Sequence, residues 1–416
     1  MKRKFLLLLF LSMTALFTSK SFSQWTMKVL PNPPGGHGEL PGRVNTLYSD
    51  GSNLYAGTLG GNLYFSSDNG NNWAYIDSGL TSSDITAILF YNNTLFVGAY
   101  GSGIYSTTDN GKSWKGSNVS LTNLNVYAFA VMDTSIFVGT FGGGVFQSKD
   151  NGTTWAEVNN GLTNLDVRTL GVKDSRLFAG TWGSGIYFSD DQGASWLQSN
   201  IGINKLFIYA IATDGPNVFM GNDEGVYISV NEGFSWNLVN NGLTNTYIRA
   251  LIIIHPNLIV ATSGQGVFAS MNTGGLWTPA DSGLTDGYTY CLAVNGSTLF
   301  AGALDGEIWQ RPLSEVVTAV NEKYKGNVVN NFKLNQNYPN PFNPTTTISY
   351  QIPHNEFVTI RIYDALGREV QTLLNENKNA GSYNISFNGV NLSSGIYFYQ
   401  LKAGNYISIK KMVLMK

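Results

Sequence analysis

Charged side chains are scarce. Asp, Glu, Lys and Arg make up 12% of the 416 residues, half the usual share of about 25%. Acidic and basic residues nearly balance, 27 against 25, for a formal net charge of −2. The clustered Lys and Arg on which general nucleic-acid binding depends are missing, so no nucleic-acid partner is expected. The single cysteine, Cys291, excludes an internal disulfide and any cysteine-rich zinc or iron–sulfur site. His37, His255 and His354 stand far apart in sequence, so neither a metal centre nor a cofactor is expected. What the chain has in quantity is glycine, 47 residues, and aromatic side chains, 13%. That mixture belongs to short strands and tight turns rather than to long surface helices.

A long apolar run occurs only at the start. Lys2, Arg3 and Lys4 precede a nearly all-apolar stretch from Phe5 to Phe17. Ser21-Phe22-Ser23 then offers small residues at the positions a signal peptidase reads. The run is shorter than the ~20 residues of a spanning helix, and no cysteine follows for lipid attachment. Residues 1–23 are therefore expected to be a cleaved secretory signal, with no transmembrane segment after it.

Six segments repeat: SSDNGNNW, TTDNGKSW, SKDNGTTW, SDDQGASW, SVNEGFSW and SMNTGGLW. They end at Trp73, Trp114, Trp155, Trp196, Trp236 and Trp277, at intervals of 41, 41, 41, 40 and 41 residues. A fixed period of this length marks a repeat architecture. Each unit divides into four strand-sized runs. The first is apolar, as in ITAILFY, and the second ends near a glycine, as in TLFVGA. The third carries an aromatic, as in GVFQSK, and the fourth runs from the tryptophan to a turn, as in WAEVNNGLT. Four short antiparallel strands per unit describe one propeller blade.

First strands begin near Val44, Ile85, Val126, Val167, Ile208, Ile248 and Thr289, which makes seven units. The seventh ends at GEIWQRPL without a fourth strand, whereas Trp25-Thr-Met-Lys-Val-Leu is a fourth strand with no unit before it. The N-terminal strand is expected to close blade 7 and protect the sheet edges.

The recurring S-x-D-x-G-x-x-W pattern resembles the Asp-box, or BNR repeat, of sialidase-like propellers over roughly residues 25 to 313. Asp68, Asp109, Asp150 and Asp191 suit turns in which a carboxylate accepts local backbone N–H groups. Asn231 and Asn272 replace the aspartate in two units, an exchange that a turn tolerates better than a catalytic or calcium role would. The six tryptophans drop large apolar rings between blades. All these residues are read as structural. The resemblance implies an architecture, and fold alone does not decide activity.

Connections in a meander alternate between the two faces of the ring. Opposite the Asp-box turns, one second-to-third position reads Leu59, Tyr100, Phe141, Trp182, Asp223, Ser263 and Leu304. One residue into the first strand the series is Asn45, Thr86, Tyr127, Arg168, Tyr209, Arg249 and Tyr290. A scaffold that repeats while one ring of positions diversifies suggests a binding surface. Tyr100, Phe141 and Trp182 are expected to form an aromatic shelf. Tyr127, Arg168, Tyr209, Arg249 and Tyr290 are expected to rim the central channel, with guanidiniums suited to anionic or polar groups. The competing expectation is that these side chains only plug the channel.

No catalytic residue is assigned. A sialidase needs an arginine triad, yet the repeats hold only Arg43, Arg168, Arg176, Arg249 and Arg311, with Arg176 and Arg311 on the Asp-box side. A glycosidase needs two carboxylates across one cleft. Among Asp84, Asp166, Asp223, Glu224, Asp286 and Asp305 no spacing singles out a pair. A binding protein for an extracellular glycan or protein is the leading expectation. A secreted glycoside hydrolase or lyase is the second, and a structural surface spacer the third.

The 41-residue beat stops near residue 313. Residues 314–331 are charged and polar and read as a linker. From residue 332 onward, TTTISYQI, VTIRIYDALGREVQTLL, SYNISFNG, GIYFYQLKAG and YISIKKMVLM supply short strands, expected to form a small Ig-like β-sandwich. The segments NYPNPFNPTTTISY, IYDALGREV, AGSY, SGIYFY and KKMVLMK closely resemble the type A sorting domain of the type IX secretion system, found in Bacteroidota and relatives. The resemblance implies passage through the periplasm and across the outer membrane, contact with the secretion machinery and its sortase, and release or attachment at the surface. Lys410 and Lys411, in the terminal basic motif, are expected to touch the transporter. The whole chain is thus expected to be all-β: signal peptide 1–23, seven-bladed propeller 24–313, linker 314–331 and sorting domain 332–416.

Overall fold

The computed structural model describes residues 24–32, 41–77, 79–80, 84–215, 217–271, 273–316, 332–353, 356–378, 381–404 and 406–416. The expected signal peptide, Asn272 and most of the expected linker lie outside these residues. Up to Pro312 the described chain forms four-stranded antiparallel sheets, seven in number. In one of them Val126–Met132, Ser135–Thr140, Gly144–Ser148 and Ala156–Glu157 pair in that order. The second strand of this sheet is buried at every residue. Burial on both faces explains why such strands read as unbroken apolar runs rather than alternating ones.

The glycine near the end of each second strand sets the spacing between sheets. A Cβ on Gly98 would lie 2.3 Å from Val126 Cγ1, and one on Gly139 would lie 2.7 Å from Val167 Cγ1. Only a residue without a side chain lets the first strand of the next sheet approach this closely. Gly302 of the last sheet meets Val44 of the first in the same way, at 2.7 Å. The series of sheets therefore closes on itself as a β-propeller.

The N-terminus completes the last sheet. Thr26–Val29 pairs with Glu307–Pro312, Thr26 opposite Gln310 and Val29 opposite Glu307. The tryptophans add a second tie between neighbours. Apart from Trp73, each repeat indole Nε1 donates to a carbonyl of the preceding sheet: Trp114 to Ile76 (2.8 Å), Trp155 to Ser117 (2.8 Å) and Trp196 to Val158 (2.7 Å). Trp236 bonds Ser199 (3.0 Å) and Trp277 bonds Val239 (2.6 Å). Trp25 repeats the bond to Ala280, at 2.6 Å. Its acceptor lies three residues past Trp277, just as Ile76 lies three past Trp73.

Some boundaries differ from expectation. The first strands of the fifth and seventh sheets begin at Ala210 and Cys291, not near Ile208 and Thr289. In the other five sheets the residue after the second strand donates its N–H to the carbonyl just before the first strand, as Leu59 does to Arg43 and Trp182 to Asp166. Among the described residues Asp223 and Leu304 make no such bond, and the pairing starts later. Fourth strands are mostly two residues long and begin after the tryptophan, as in Ala74–Tyr75. Residues 313–316 are helical, and Val316 is buried against the last sheet. The packed chain thus runs past the expected boundary at residue 313.

Residues 332–416 form two further sheets. Lys333–Leu334, Thr345–Ile352 and Gly381–Asn388 make a three-stranded one. Glu369–Lys378, Glu356–Tyr363, Gly395–Ala403 and Tyr406–Leu414 make a four-stranded one. Burial alternates along Thr345–Ile352, so every second side chain turns inward. Ile348, Tyr350 and Phe387 of one sheet share a buried cluster with Val358, Ile360, Tyr399 and Met412 of the other.

Candidate functional site

The repeated turns between third and fourth strands satisfy themselves. Ser189 Oγ donates to Asp191 Oδ1 (2.7 Å) and accepts the Gly193 N–H (2.8 Å). Asp191 Oδ1 also accepts the Ser195 N–H (2.8 Å), and Oδ2 accepts the Ser195 hydroxyl (2.6 Å). The Ser195 hydroxyl and N–H hold Asp191 below the usual carboxylate range. Asp68, Asp109 and Asp150 are lowered alike, led by the Asn72 N–H, the Ser113 hydroxyl and the Thr154 hydroxyl. Asn231 keeps the pattern, accepting the Ser235 N–H (3.0 Å) and donating to the Ser235 hydroxyl (2.9 Å). Two consecutive left-handed residues, such as Gln192 (φ 58°) and Gly193 (φ 86°), make the reversal. The opening serine or threonine, Ser66, Thr107, Ser148, Ser189 or Ser229, is as central as the aspartate.

On the opposite side six expected residues, Tyr127, Arg168, Trp182, Tyr209, Arg249 and Tyr290, line one opening of about 280 Å³. Their convergence has a local cause. Pairing slips between Val126 and Ala128, between Val167 and Thr169, and between Ile248 and Ala250. Tyr127, Arg168 and Arg249 are thus the unpaired residues of β-bulges, and a bulge re-aims its side chain out of the sheet. Tyr209 and Tyr290 precede their shorter strands at the equivalent repeat position.

The aromatic rings clasp the guanidiniums. Arg168 Cζ lies 3.9 Å from the Tyr127 ring centroid, 4.6 Å from Trp182 and 4.7 Å from Phe141. Arg249 Cζ lies 4.5 Å from Tyr247, 5.4 Å from Tyr209 and 5.6 Å from Tyr290. Among the described residues the buried Nε atoms of both arginines have no hydrogen-bond partner, so the rings hold these side chains through cation–π contact. Burial raises the Tyr127 hydroxyl above its ordinary pKa, and the adjacent Arg168 charge pulls it back in part. Burial and a 2.7 Å bond with Tyr247 raise the Tyr209 hydroxyl.

The expected shelf of Tyr100, Phe141 and Trp182 is not continuous. Trp182 lines the opening, Phe141 flanks Arg168, and exposed Tyr100 stands outside against the Tyr127 ring at 5.9 Å. Arg168 and Tyr127 stand between these rings and interrupt the shelf. Of the six acidic residues on this face, Asp84 alone is among the lining residues. Arg176 is far off in an ion pair with Asp190 (2.6 Å), and buried Arg311 donates to Ala280 O (3.2 Å).

Phe207 and Tyr247 were missed from sequence, and Arg43 and Asp84, named there only in weighing an enzyme, were not placed in the ring. Arg43, Asp84, Phe207 and Tyr247 occupy one repeat position, immediately before the first-strand valine or isoleucine. That position also diversifies, through Asn125, Asp166 and Tyr288, which is the signal that finds it. Arg43 Cζ lies 4.6 Å from the Tyr290 ring, and Phe207 packs edge-on against Trp182 at 5.1 Å.

In the C-terminal sheets Lys410 and Lys411 alternate along Tyr406–Leu414, Lys410 half-buried and Lys411 exposed. The Lys411 carbonyl accepts Gln336 Nε2 at 2.7 Å. Among the described residues no helix is long and apolar enough to cross a membrane, and no group of three or more His, Cys, Asp or Glu side chains clusters for a metal.

Closed four-stranded sheets and a channel mouth define a β-propeller, and comparison with solved structures agrees. YCF48 bound to D1 peptide matches with a TM-score of 0.57 and 16% identity, over 70% of this chain and 96% of that one. The extracellular domain of BT3049 from B. thetaiotaomicron matches with a TM-score of 0.59 and 16% identity, over 94% of this chain and 57% of that one. PorZ, a surface component of the type IX secretion system of Porphyromonas gingivalis, matches with a TM-score of 0.50 and 17% identity, over 92% of this chain and 61% of that one. At such identities the likeness shows the fold. Residues 81–207 match the DUF6242 beta propeller domain, and residues 336–415 match the secretion system C-terminal sorting domain. No curated protein matches the chain. The sorting domain assigns the protein to type IX secretion and to the outer membrane or cell surface.

Proposed function

We propose that this is a secreted or cell-surface binding protein whose propeller recognises a glycan or protein ligand at the channel mouth. The observation that supports it most is convergence. Residues 127, 168, 209, 249 and 290 come from five separate sheets, vary between repeats, and meet in one opening lined by cations and rings. We read the architecture as a seven-bladed Asp-box propeller over residues 24–313, after a signal peptide at 1–23. A linker at 314–331 then leads to an Ig-like sandwich at 332–416. Closure of the last sheet by Thr26–Val29 and the shared core of the two C-terminal sheets support this reading. In it, Lys411, exposed beside Ile407 and Ile409, meets the transporter, and Lys410 supports it from the same strand. The sortase then acts on the exported chain.

The test is a binding and turnover screen of the secreted chain against polysaccharides and glycoproteins. Saturable binding without product release, weakened by Trp182→Ala and Arg168→Ala, is expected. Release of reducing ends or unsaturated sugars would replace the binder with a hydrolase or lyase and direct attention to Asp84. Silence on every ligand would favour a packed channel plug.

A further inference from the structure

The five arginines of residues 24–313 divide sharply. Arg176 and Arg311 are committed to partners elsewhere, Asp190 and the Ala280 carbonyl. Arg43, Arg168 and Arg249 all line the opening, and among the described residues none of the three has a carboxylate within ion-pair distance. Asp84 is the one acidic side chain lining it, so the opening carries three positive groups against one negative in a protein of net charge −2.

The other recognition groups in the opening are already engaged. Tyr127, Trp182, Tyr209 and Tyr290 each turn a ring face to a guanidinium, so a ligand that meets these rings meets a positive charge with them. Asn45 accepts from Arg43 Nε (2.9 Å) and donates to the Ile85 carbonyl (3.1 Å). The Thr86 hydroxyl is turned toward the carbonyls of Val126 (2.5 Å) and Gly98 (3.1 Å). Groups that would read sugar hydroxyls are thus occupied, whereas positive charge is left over. Guanidiniums held by rings rather than by carboxylates are pre-organised donors for an oxyanion.

We propose that the opening is an anion site and that it takes a carboxylate at the end of an acidic polysaccharide chain. This rests on the binding reading above and names its ligand class. At about 280 Å³ the opening falls just below the ~300–1,000 Å³ of ordinary ligand clefts, room for one terminal unit. The neighbouring turns, Gly101-Ser102-Gly103, Gly142-Gly143-Gly144 and Gly183-Ser184-Gly185, present backbone and hydroxyl groups with no large side chain. These three glycine-rich turns leave room beside the opening for a polymer that repeats one charged unit.

The experiment titrates the full secreted chain with trigalacturonate, its methyl ester, a neutral maltotriose and an acidic peptide of equal charge, by calorimetry. Trigalacturonate is expected to bind, and the ester at least tenfold more weakly. Raising salt from about 50 to about 500 mM should weaken the acid form alone, because exposed charge is screened. Arg168→Gln and Arg249→Gln should each cost roughly tenfold or more in affinity, while Lys112→Gln, in a turn on the other face, should cost nothing. The ester and salt arms need no variant and stand even if a variant misfolds. Equal binding of acid and ester, or of maltotriose, overturns the anion site while leaving a glycan receptor. Preference for the peptide overturns the polysaccharide and leaves a protein receptor. Absence of binding to all four probes overturns the anion site, and the wider screen above decides the binding reading separately.

Discussion

Trp25 is where closure of the propeller can be tested with one substitution. Its side chain is 4% exposed and packs with Val267, Leu292, Leu299 and Trp309. Its Nε1 donates to Ala280 O and its backbone N–H to Ser282 O. A buried indole removes roughly 150–250 Å² from water, about 4–6 kcal/mol at ~25 cal/mol per Å². The hydrogen bond adds about 1 kcal/mol. Since unfolded chains already bury part of this surface, the ~3–5 kcal/mol typical of Trp→Ala in cores is the better figure. Trp25→Ala should therefore cost about 4 kcal/mol.

Trp73 is the internal control, because it holds the equivalent position but is half-buried and its Nε1 has no partner among the described residues. Trp73→Ala should cost about half as much. Urea unfolding followed by far-ultraviolet circular dichroism reads both values from the first transition. The Trp25 variant should also aggregate more readily, since a loosened Thr26–Val29 exposes the edge of Glu307–Pro312. A Trp25→Ala cost below about 1 kcal/mol would refute the view that the N-terminal strand is what closes the ring.

Two further outcomes follow from the repeats. Gly98→Ala places a Cβ 2.3 Å from Val126 in backbone any residue adopts, whereas Gly60→Ala meets nothing within 4 Å but sits at φ 91°. The first should cost about 1–3 kcal/mol by overpacking and push neighbouring sheets apart, and the second about 1 kcal/mol through the backbone alone; equal costs in urea would remove the inter-sheet role of the first glycine. The turn aspartates are lowered in the folded chain. Their stabilisation is therefore fully present above the unfolded value of about 4 and is lost as pH falls through the lower folded values. Urea midpoints measured between about pH 2 and 6 should fall on the acid side, and Asp191→Asn, which copies Asn231, should shallow that slope.

Regularity is what made this fold readable from sequence. Sheet order, the N-terminal closing strand and the spacing glycines all follow from a pattern repeated seven times, in which Gly98, Gly139 and Gly302 answer one packing demand. Strand ends were less legible, because they depend on single hydrogen bonds such as Leu59 to Arg43 that Asp223 and Leu304 lack. The opening serine of each turn was visible in the motif, yet its double role as donor and acceptor appears only once the chain has reversed.

The channel mouth shows a subtler limit. Comparing repeats with one another found Arg168 and Arg249 because diversity at a fixed position is visible in a string of letters. The same comparison left the aromatics between an open shelf and a packed plug, because a string of letters does not show which ring faces are covered. In three dimensions Phe141 and Trp182 spend their faces on Arg168, and Tyr247 and Tyr209 on Arg249. Aromatic and cationic positions that vary independently along the chain become one unit when bulges aim them at a common axis. The rings then act as holders and the guanidiniums as the exposed chemistry. Substituting a ring should therefore mimic loss of the charge it holds. Tyr247→Ala, which removes no group named as a ligand contact, should weaken trigalacturonate binding by releasing Arg249, with little effect in Arg249→Gln, where there is no cation left to hold. Additive losses in that double variant would mean that ring and cation act separately, and would undo the pairing argued from their 4.5 Å contact.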